Sequence, residues 1–462
     1  MKFKMDQTVN EIIRIIEKNN EEAYIVGGCI RDTIMDKNPK DWDVATSALP
    51  NQVVNFFERT EFKTIDLSKK HGTIVLIKDG KAYEVTTFRV EEEYTDHRHP
   101  DEVRFVKDLE RDLKRRDFTM NALAYSESKS LVDLFDGVTD IKNKIIRCVG
   151  NPIKRFNEDA LRILRGVRFS SQLDFEIENR TFEAMKKKIN LIEFISMERI
   201  QNEFNKIILS NQPSKGLLQL KTIGALERII PELKKTYNFN QCNPNHHLDV
   251  FEHSLEVLEH TPKELSLRLA AIFHDVGKPD TFFKDDSGIG HFYDHEKKSL
   301  EIAEGILKRM KYSNEIIEKT LIIIDEHMTV YSDEFSDKAV KRLMKRIEPM
   351  SIDQLVAFQI ADIKATANPK KFKHVIALKN RVEGIKNRKE PLSIKDLAID
   401  GNDLMSLGIP EGKTIGNILN YLFEKVLEKP ELNNQSKLMK LAKKYISEQW
   451  SNRDYFIVKL LI

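Results

Sequence analysis

Apolar positions follow two different periods along the chain. From residue 22 to about 145 they gather in short strand-type runs, EAYIVGG, DWDVAT, GTIVLI and AYEVTTFRV, set between segments of helical spacing. That mixture predicts an α/β or α+β domain. Beyond Asn151-Pro152 apolar residues recur every three or four positions through long stretches such as EDALRILRGVRFSSQL and MERIQNEFNKIILS, and strand-type runs almost vanish. The remainder is predicted to be largely helical. Ahead of the first strand, MKFKMDQTVNEIIRIIEK reads as an amphipathic helix interrupted by charge. Pro- and Asn-bearing YNFNQCNPNHHL, near 235–246, and KATANPKKFKHV, near 364–375, read as boundaries, and GNDLMSLGIPEGKTIG reads as a turn-rich junction between helices. The apolar WSNRDYFIVKLLI at the end is expected to pack against the last helix.

Composition narrows the class. A chain of 462 residues is too long for one comfortable core, and 32% charged against 40% hydrophobic residues is a soluble globular balance. The first residues carry no secretory h-region, and no apolar run approaches a membrane span. Cys29, Cys148 and Cys242 lie far apart with neither metal nor disulfide spacing, which points to a reducing cytoplasm. Lys+Arg at 75 against Asp+Glu at 73 means that affinity for nucleic acid must come from local basic patches.

The first candidate chemistry lies in YIVGGCIRDTIMDKNPKDWDVAT. Residues i and i+2 of a strand share a face, so Asp41 and Asp43 are predicted to point together with Trp42 turned into the packing. Two such carboxylates can hold two divalent cations about 3.5–4 Å apart, which activates an attacking hydroxyl and steadies a leaving pyrophosphate. Gly27 and Gly28 before a helix form a natural phosphate cradle, with Arg31 supplying positive charge. Taken alone, Asp-x-Asp equally fits a solvated loop. Glu84 in AYEVTTF is either a third carboxylate or an exposed strand residue.

The order GG, RD, D-x-D, followed by RRDFTMNALAY, LVDLFDGVTDIKNKIIRCVGNP and RFNEDALRILRGVRFSSQLDFEIE, resembles the class II tRNA nucleotidyltransferase and bacterial poly(A) polymerase family of the DNA polymerase β-like superfamily. The likeness is dense over residues 22–180. It implies an α+β nucleotidyltransferase head over 1–145, followed by an elongated all-α neck (146–215), body (216–370) and tail (371–462).

Glu158, Asp159 and Arg162 are predicted to open a helix, with Arg162, Arg165 and Arg168 at three-residue steps on one sector. A solvated basic stripe is one reading. The other is base selection: cytosine and adenine both place an exocyclic amino donor beside a ring-nitrogen acceptor, whereas guanine and uracil do not. A carboxylate at Asp159 and a guanidinium at Arg162 match that pair without a nucleic-acid template. The resemblance assigns base reading to the Glu158–Arg162 motif, a nucleotide contact to Arg116, and sugar or phosphate contacts to Arg165 and Arg168. Asp117 and Asn121 of the same motif are explained as well by an N-cap and a buried amide. VEEEYTDHRHPDEVRFV, with Pro100, resembles the flexible loop of members that add the terminal A.

Farther on, His253, His274-Asp275, His295, His327 and Asp362 form a spaced series whose imidazoles and carboxylates can converge from neighbouring helices on one divalent metal or a pair. The series resembles the HD metal-dependent phosphohydrolase superfamily. That resemblance implies a ligand set of His253, His274, Asp275 and Asp362, with His295 and His327 as further ligands and phosphatase or phosphodiesterase action on nucleotides or RNA ends. Lys278 is either a phosphate contact or a surface lysine; His246, His247 and His291 are read as non-ligands. Residues 392–434 resemble the tRNA-gripping tail of CCA-adding enzymes, flanked by Lys437, Lys440, Lys443 and Lys444.

The combined expectation is a cytoplasmic enzyme that builds or repairs the 3′ CCA of tRNA from CTP and ATP. Asp41 and Asp43 would carry Mg²⁺, Gly28, Arg31 and Arg116 would steady phosphates and sugar, and a divalent ion would sit in the HD series. The alternatives are an A-adding enzyme, a bacterial poly(A) polymerase, or a metal phosphohydrolase or RNA-binding regulator with a silent head. EDALR, without a Pro after the Asp, and the glycine-rich tail argue against the polymerase.

Overall fold

The computed structural model describes residues 3, 5–39, 41–68, 72–92, 102–244, 247–329, 336–367 and 372–449. Pro100 with the middle of its charged segment, His246 and the apolar C-terminal stretch lie outside those residues. The chain forms two compact units, Met1–Lys235 with Ile306–Tyr312, and Thr236–Gly305 with Ser313–Ile462.

In the first unit, α1 (Gln7–Lys18) is capped by Asp6, whose carboxylate accepts from Thr8 N at 2.8 Å, and buries Val9, Ile12, Ile13 and Ile16 along one stripe. There follow β1 (Ala23–Val26), α2 (Gly28–Ile34), β2 (Asp43–Thr46), α3 (Pro50–Phe57), β3 (Lys63–Ser68), β4 (Thr73–Lys78) and β5 (Lys81–Thr87). Next come the paired β6 (Arg89–Glu92) and β7 (Glu102–Phe105), α4 (Leu109–Lys114), β8 (Leu123–Ser126) and β9 (Ser130–Asp133). Seven strands make one mixed sheet in the order β3-β4-β5-β2-β1-β8-β9; the strand-type runs of the sequence join it, except that the Arg89-Val90 end of AYEVTTFRV enters the separate β6–β7 pair. Within this sheet, among the described residues, only β2 and β5 pair in parallel, in a register that sets Asp43 beside Glu84. Tyr24, Val26, Ala45, Phe88, Leu113 and Ala124 pack one face of that sheet under α4.

After the sheet come α5 (Gly137–Lys142), β10 (Ile145–Ile146), α6 (Pro152–Glu158), α7 (Leu161–Leu173), β11 (Glu176–Ile177), α8 (Asn179–Lys188), α9 (Met197–Ile208), α10 (Pro213–Thr222) and α11 (Leu226–Ile229). Among the described residues the helical expectation beyond Asn151-Pro152 holds apart from β11, which pairs in parallel with β10, and a small hairpin in the second unit. α7 packs on α9 and α10, and buries Ile163, Leu164, Val167 and Phe169.

The second unit runs through α12 (Val250–His260), α13 (Leu265–Phe273), α14 (Lys278–Thr281), a small hairpin of β12 (Phe283–Lys284) and β13 (Gly290–His291), α15 (His295–Arg309) as far as Gly305, α16 (Asn314–Glu326), α17 (Asp337–Arg346), α18 (Ile352–Lys364) and α19 (Lys373–Asn387). α13 packs against α12, α16 and α18, which brings residues more than a hundred positions apart to one centre. The final α20 (Gly401–Met405), α21 (Lys413–Glu428) and α22 (Gln435–Gln449) enclose a core of their own around Leu404, Ile418, Leu422, Val426, Leu438 and Ala442. The turn-rich junction of the sequence is the α20–α21 connection, where Gly408 (φ 82°) and Gly412 (φ 138°) take positive φ.

Candidate functional site

Gly27 ends β1 at φ 80°, a value that favours glycine, and a Cβ there would lie 3.2 Å from Arg116 Nη1. The turn starts α2, whose Arg31 is buried and donates to Asp32 Oδ1 (2.7 and 2.9 Å) and Asn121 Oδ1 (2.9 Å). Asp43 is the first residue of β2; Asp41 precedes the strand, so the two carboxylates are not strand neighbours as the spacing predicted. They still interact. Asp43 keeps an exposed face at the cleft edge; desolvation by the surrounding walls, then the Glu84 carboxylate, push its carboxyl above the ordinary value, with Asp41 adding and Arg116 opposing. Three carboxylates crowded in this way fit a cationic guest, which would relieve their repulsion.

Asp43, Gly27, Gly28, Arg31, Arg116, Asp117, Asn121, Asp159, Arg162, Arg165, Phe169 and Arg199 line a cleft of about 440 Å³, within the range of small-ligand sites. Its wall is heavily cationic. Asp43 also lines a second cleft, of about 280 Å³, with Glu84, Thr73, Thr86, Arg89 and Asp112; Arg115 and Arg116 face both. Asp112 is buried at 1% exposure and holds these two arginines, accepting from Arg115 Nε (3.0 Å) and Nη2 (2.7 Å) and from Arg116 Nη2 (3.2 Å).

The segment expected to read the base differs from the single helix start predicted. Glu158 closes α6, Asp159 adopts extended backbone (φ −140°) in the break, and Arg162 stands in the first turn of α7. Asp159 accepts from Leu161 N (3.1 Å) and from Arg199 Nη2 (3.1 Å). Glu158 accepts from Arg155 and from Arg162 Nη1 (2.8 Å), while Arg162 Nη2 reaches the Arg115 carbonyl (2.9 Å). Glu158 therefore braces Arg162 and is not a cleft wall. Arg165 donates twice to Asp117 (2.5 and 2.8 Å). Burial raises the Asp117 carboxyl, but the Arg165 charge and hydrogen bonds, with Arg162 and Asn121, outweigh it and hold it far below the carboxylate range. Arg168 turns away from the cleft into a buried pair with Glu203 of α9 (3.1 Å) and stacks over Phe169 at 4.2 Å; burial pushes it down to about 10. The sequence reading missed Arg199, Arg115, Asp112 and Phe169.

In the second unit, His253 of α12, His274 and Asp275 at the end of α13, His295 at the start of α15, His327 at the end of α16 and Asp362 of α18 converge. Their ligand atoms form two groups, His253–His274–Asp362 and Asp275–His295–His327. Asp275 faces both: Oδ2 lies 3.3 Å from His274 Nε2 and 3.6 Å from His253 Nε2, and Oδ1 lies 3.3 Å from His295 Nε2 and 3.9 Å from His327 Nε2. Each histidine directs Nδ1 to a backbone carbonyl, of Ala365 (3.4 Å), Ala271 (3.1 Å), Phe292 (2.8 Å) and Ile324 (2.6 Å) in chain order. That outer contact leaves Nε2 as the inward lone pair. Among the described residues His295 Nε2 and His327 Nε2 are buried without a hydrogen-bond partner, which fits two inward-facing metal donors. Burial and His274 push His327 down to about 4, in keeping with a neutral ligand. Lys278 is buried, with Nζ 2.7 Å from Asp275 and 2.9 Å from Gln241 Oε1, and is no surface lysine.

The chain is 36% identical to the CCA-adding enzyme of Ligilactobacillus salivarius over 449 residues, 94% of this chain and 96% of that protein. The chain belongs to the CCA-adding enzyme family. Streptococcus suis supplies a 51% identical member over 210 residues, about half of each chain (45% and 51%). Family models match at residues 23–147 (poly A polymerase head domain), 174–236 (probable RNA and SrmB-binding site of polymerase A) and 245–366 (HD domain). Among solved structures, the Bacillus stearothermophilus CCA-adding enzyme in complex with CTP superposes at TM-score 0.67 with 27% identity, covering 96% of this chain and 98% of that one. The Thermotoga maritima CCA-adding enzyme complexed with tRNA, 19% identical at TM-score 0.59, shares the fold. The nucleotidyltransferase and HD domains imply use of divalent metal. No helix among the described residues is long and apolar enough to cross a membrane.

Proposed function

We propose that this member of the family adds or repairs the 3′-terminal CCA of tRNA, using CTP and ATP, in the cytoplasm. The observation that carries the reading is the 440 Å³ cleft, where an acidic edge at Asp43, the Gly27-Gly28 turn and the Asp159/Arg162 pair meet in a chain related along its length to CCA-adding enzymes. Mg²⁺ held by Asp41 and Asp43 would lower the pKa of the tRNA 3′-hydroxyl and neutralise the departing pyrophosphate. The glycine turn admits the phosphates closely, while Arg31 and Arg116 offset their charge and Arg165 sits beside them. Asp159 accepts from the exocyclic amino group of C or A, Arg162 donates to the ring nitrogen, and G and U present the opposite pattern. Catalysis is then positioning and charge neutralisation. The smaller cleft, on the Glu84 side of Asp43, suits the incoming RNA end. Residues 1–145 serve as head, 146–215 as neck, 216–370 as HD body and 371–462 as the tRNA-binding tail. Purified protein should incorporate C into tRNA lacking CCA and A into tRNA ending in CC; failure to incorporate C would leave an A-adding enzyme.

A second reading applies to the HD centre. Two triads joined by Asp275, with Lys278 beside them, favour a metal phosphohydrolase acting on nucleotides or RNA ends. Its test is release of phosphate or opening of a 2′,3′-cyclic phosphate by protein in which Asp41 and Asp43 are both Ala.

A further inference from the structure

Beside the HD centre the hairpin β12–β13 carries aromatic residues on both faces. Inward, Phe282 and Phe292 contact each other (5.5 Å between centroids), and Lys278 Nζ lies 5.3 Å from the Phe292 ring centre. Outward, Phe283, His291 and Tyr293 form a mutual group with centroids 5.3, 5.4 and 5.6 Å apart and ring planes within 34° of one another. Phe283 and His291 are cross-strand partners in the hairpin and so share a face, and Tyr293, in the turn that follows β13, joins them. Phe283 is 45% exposed and Tyr293 68%, an unusual amount of open ring surface for neighbours that are already near-parallel.

The hairpin is built into the centre. The Phe292 carbonyl orients His295, Gly290 N donates to Cys242 O (2.8 Å), and a Cβ at Gly290 would fall 2.1 Å from Gln241 O. Gln241 in turn holds Lys278. The outer rings are thus tied, with only Asp294 between Tyr293 and His295, to the centre that would hold phosphate.

Resting on the phosphohydrolase reading of the HD centre, we infer that Phe283, His291 and Tyr293 form a stacking platform for the nucleobase of a nucleotide or RNA terminus whose phosphate occupies that centre. The local charge supports a base as the occupant in place of further phosphates. His291 Nε2 is bonded to Asp285 (2.7 Å), Lys297 is paired with Asp294, and the exposed Lys284 of β12 is offset by the exposed Asp286, so the patch has no surplus of cation. A π-face needs none, and stacking tolerates every base.

The test uses full-length protein with Asp41 and Asp43 replaced by Ala, loaded with Mn²⁺. Hydrolysis of 2′,3′-cyclic AMP, of a short RNA ending in 2′,3′-cyclic phosphate, and of base-free glycerol 1,2-cyclic phosphate is compared for this protein and with Tyr293→Ala, Phe283→Ala/Tyr293→Ala and Tyr293→Phe added. The expected result is a loss of kcat/KM of about 5- to 150-fold on base-bearing substrates for the Ala variants, less than 2-fold on the base-free one, and recovery with Phe. The two base-bearing arms tell a free nucleotide from an RNA end. Equal losses on all substrates, or none on base-bearing ones, would overturn the platform. Absence of all hydrolysis would instead refute the phosphohydrolase reading, and binding of 2-aminopurine mononucleotide then decides the platform: its quenching must weaken with Tyr293→Ala.

Discussion

Replacing Asp112, which lines the smaller cleft, should disturb the cationic wall of the larger one through Arg115 and Arg116, with neither arginine itself replaced. The carboxylate is 1% exposed and accepts three guanidinium hydrogen bonds and the Arg89 N–H (3.3 Å). Removing one partner of a buried ion pair costs about 3–5 kcal/mol. Arg115 and Arg116 are 19% and 20% exposed at the side chain and can partly rehydrate, so Asp112→Ala is expected at the low end, about 3 kcal/mol. Asp112→Asn keeps one acceptor and should cost about half of that. Trp42, in the same unit, reports unfolding in urea when Trp450 is Phe. The KM for CTP should rise about 10-fold as Arg116 loses its anchor, with kcat less affected. The pH dependence has a definite sign. Burial raises the Asp112 carboxyl but Arg115 and Arg116 lower it further, so its folded pKa lies below the unfolded value of about 3.9. Its stabilisation is present above that pH and is lost as pH falls through the folded value, so wild type and Asp112→Asn should converge in strong acid. A loss under 1 kcal/mol at pH 7 for Ala, or a gap that widens on acidification, would refute this account.

Replacing both Asp41 and Asp43 with Ala should abolish nucleotide addition, by at least about 10³-fold, while leaving HD-centre hydrolysis unchanged; primer extension and phosphate release measure the two. Asp159→Asn should lower kcat/KM for CTP and ATP by about 10- to 100-fold and narrow the preference over UTP and GTP, read by incorporation of each nucleotide alone. His295→Ala/His327→Ala, made in the Asp41→Ala/Asp43→Ala background, should reduce bound Mn²⁺ from two ions per chain to one, by elemental analysis after gel filtration; an unchanged count would remove Asp275 from its bridging role. Gly27→Ala should destabilise the head, because it combines φ 80° with a 3.2 Å approach to Arg116, and thermal unfolding checks it.

Local pattern carried what depends on neighbours in sequence. The strand runs entered the sheet apart from the Arg89-Val90 end of AYEVTTFRV, the Gly27-Gly28 turn starts a helix, and the spaced histidines met because they end or begin helices around α13. What local spacing could not encode is pairing over distance. Arg168 shares a helical sector with Arg165, yet Glu203 on α9 draws it away. Arg199 reaches Asp159 from forty positions downstream, and no periodicity marks that contact. Asp41 fell outside β2 because pairing with β1 and β5 begins only at Asp43. Glu84, undecided from its own segment, gained meaning from the parallel register that lays it against Asp43.

Two clefts that share Asp43, Arg115 and Arg116 cannot fill independently. A ligand that neutralises those groups from one side changes the field met from the other, and thermodynamic linkage makes the effect reciprocal: whatever factor the first occupant applies to the second, the second returns. Ordered or random arrival of the two substrates then becomes a measurable property of one carboxylate and the two guanidiniums beside it.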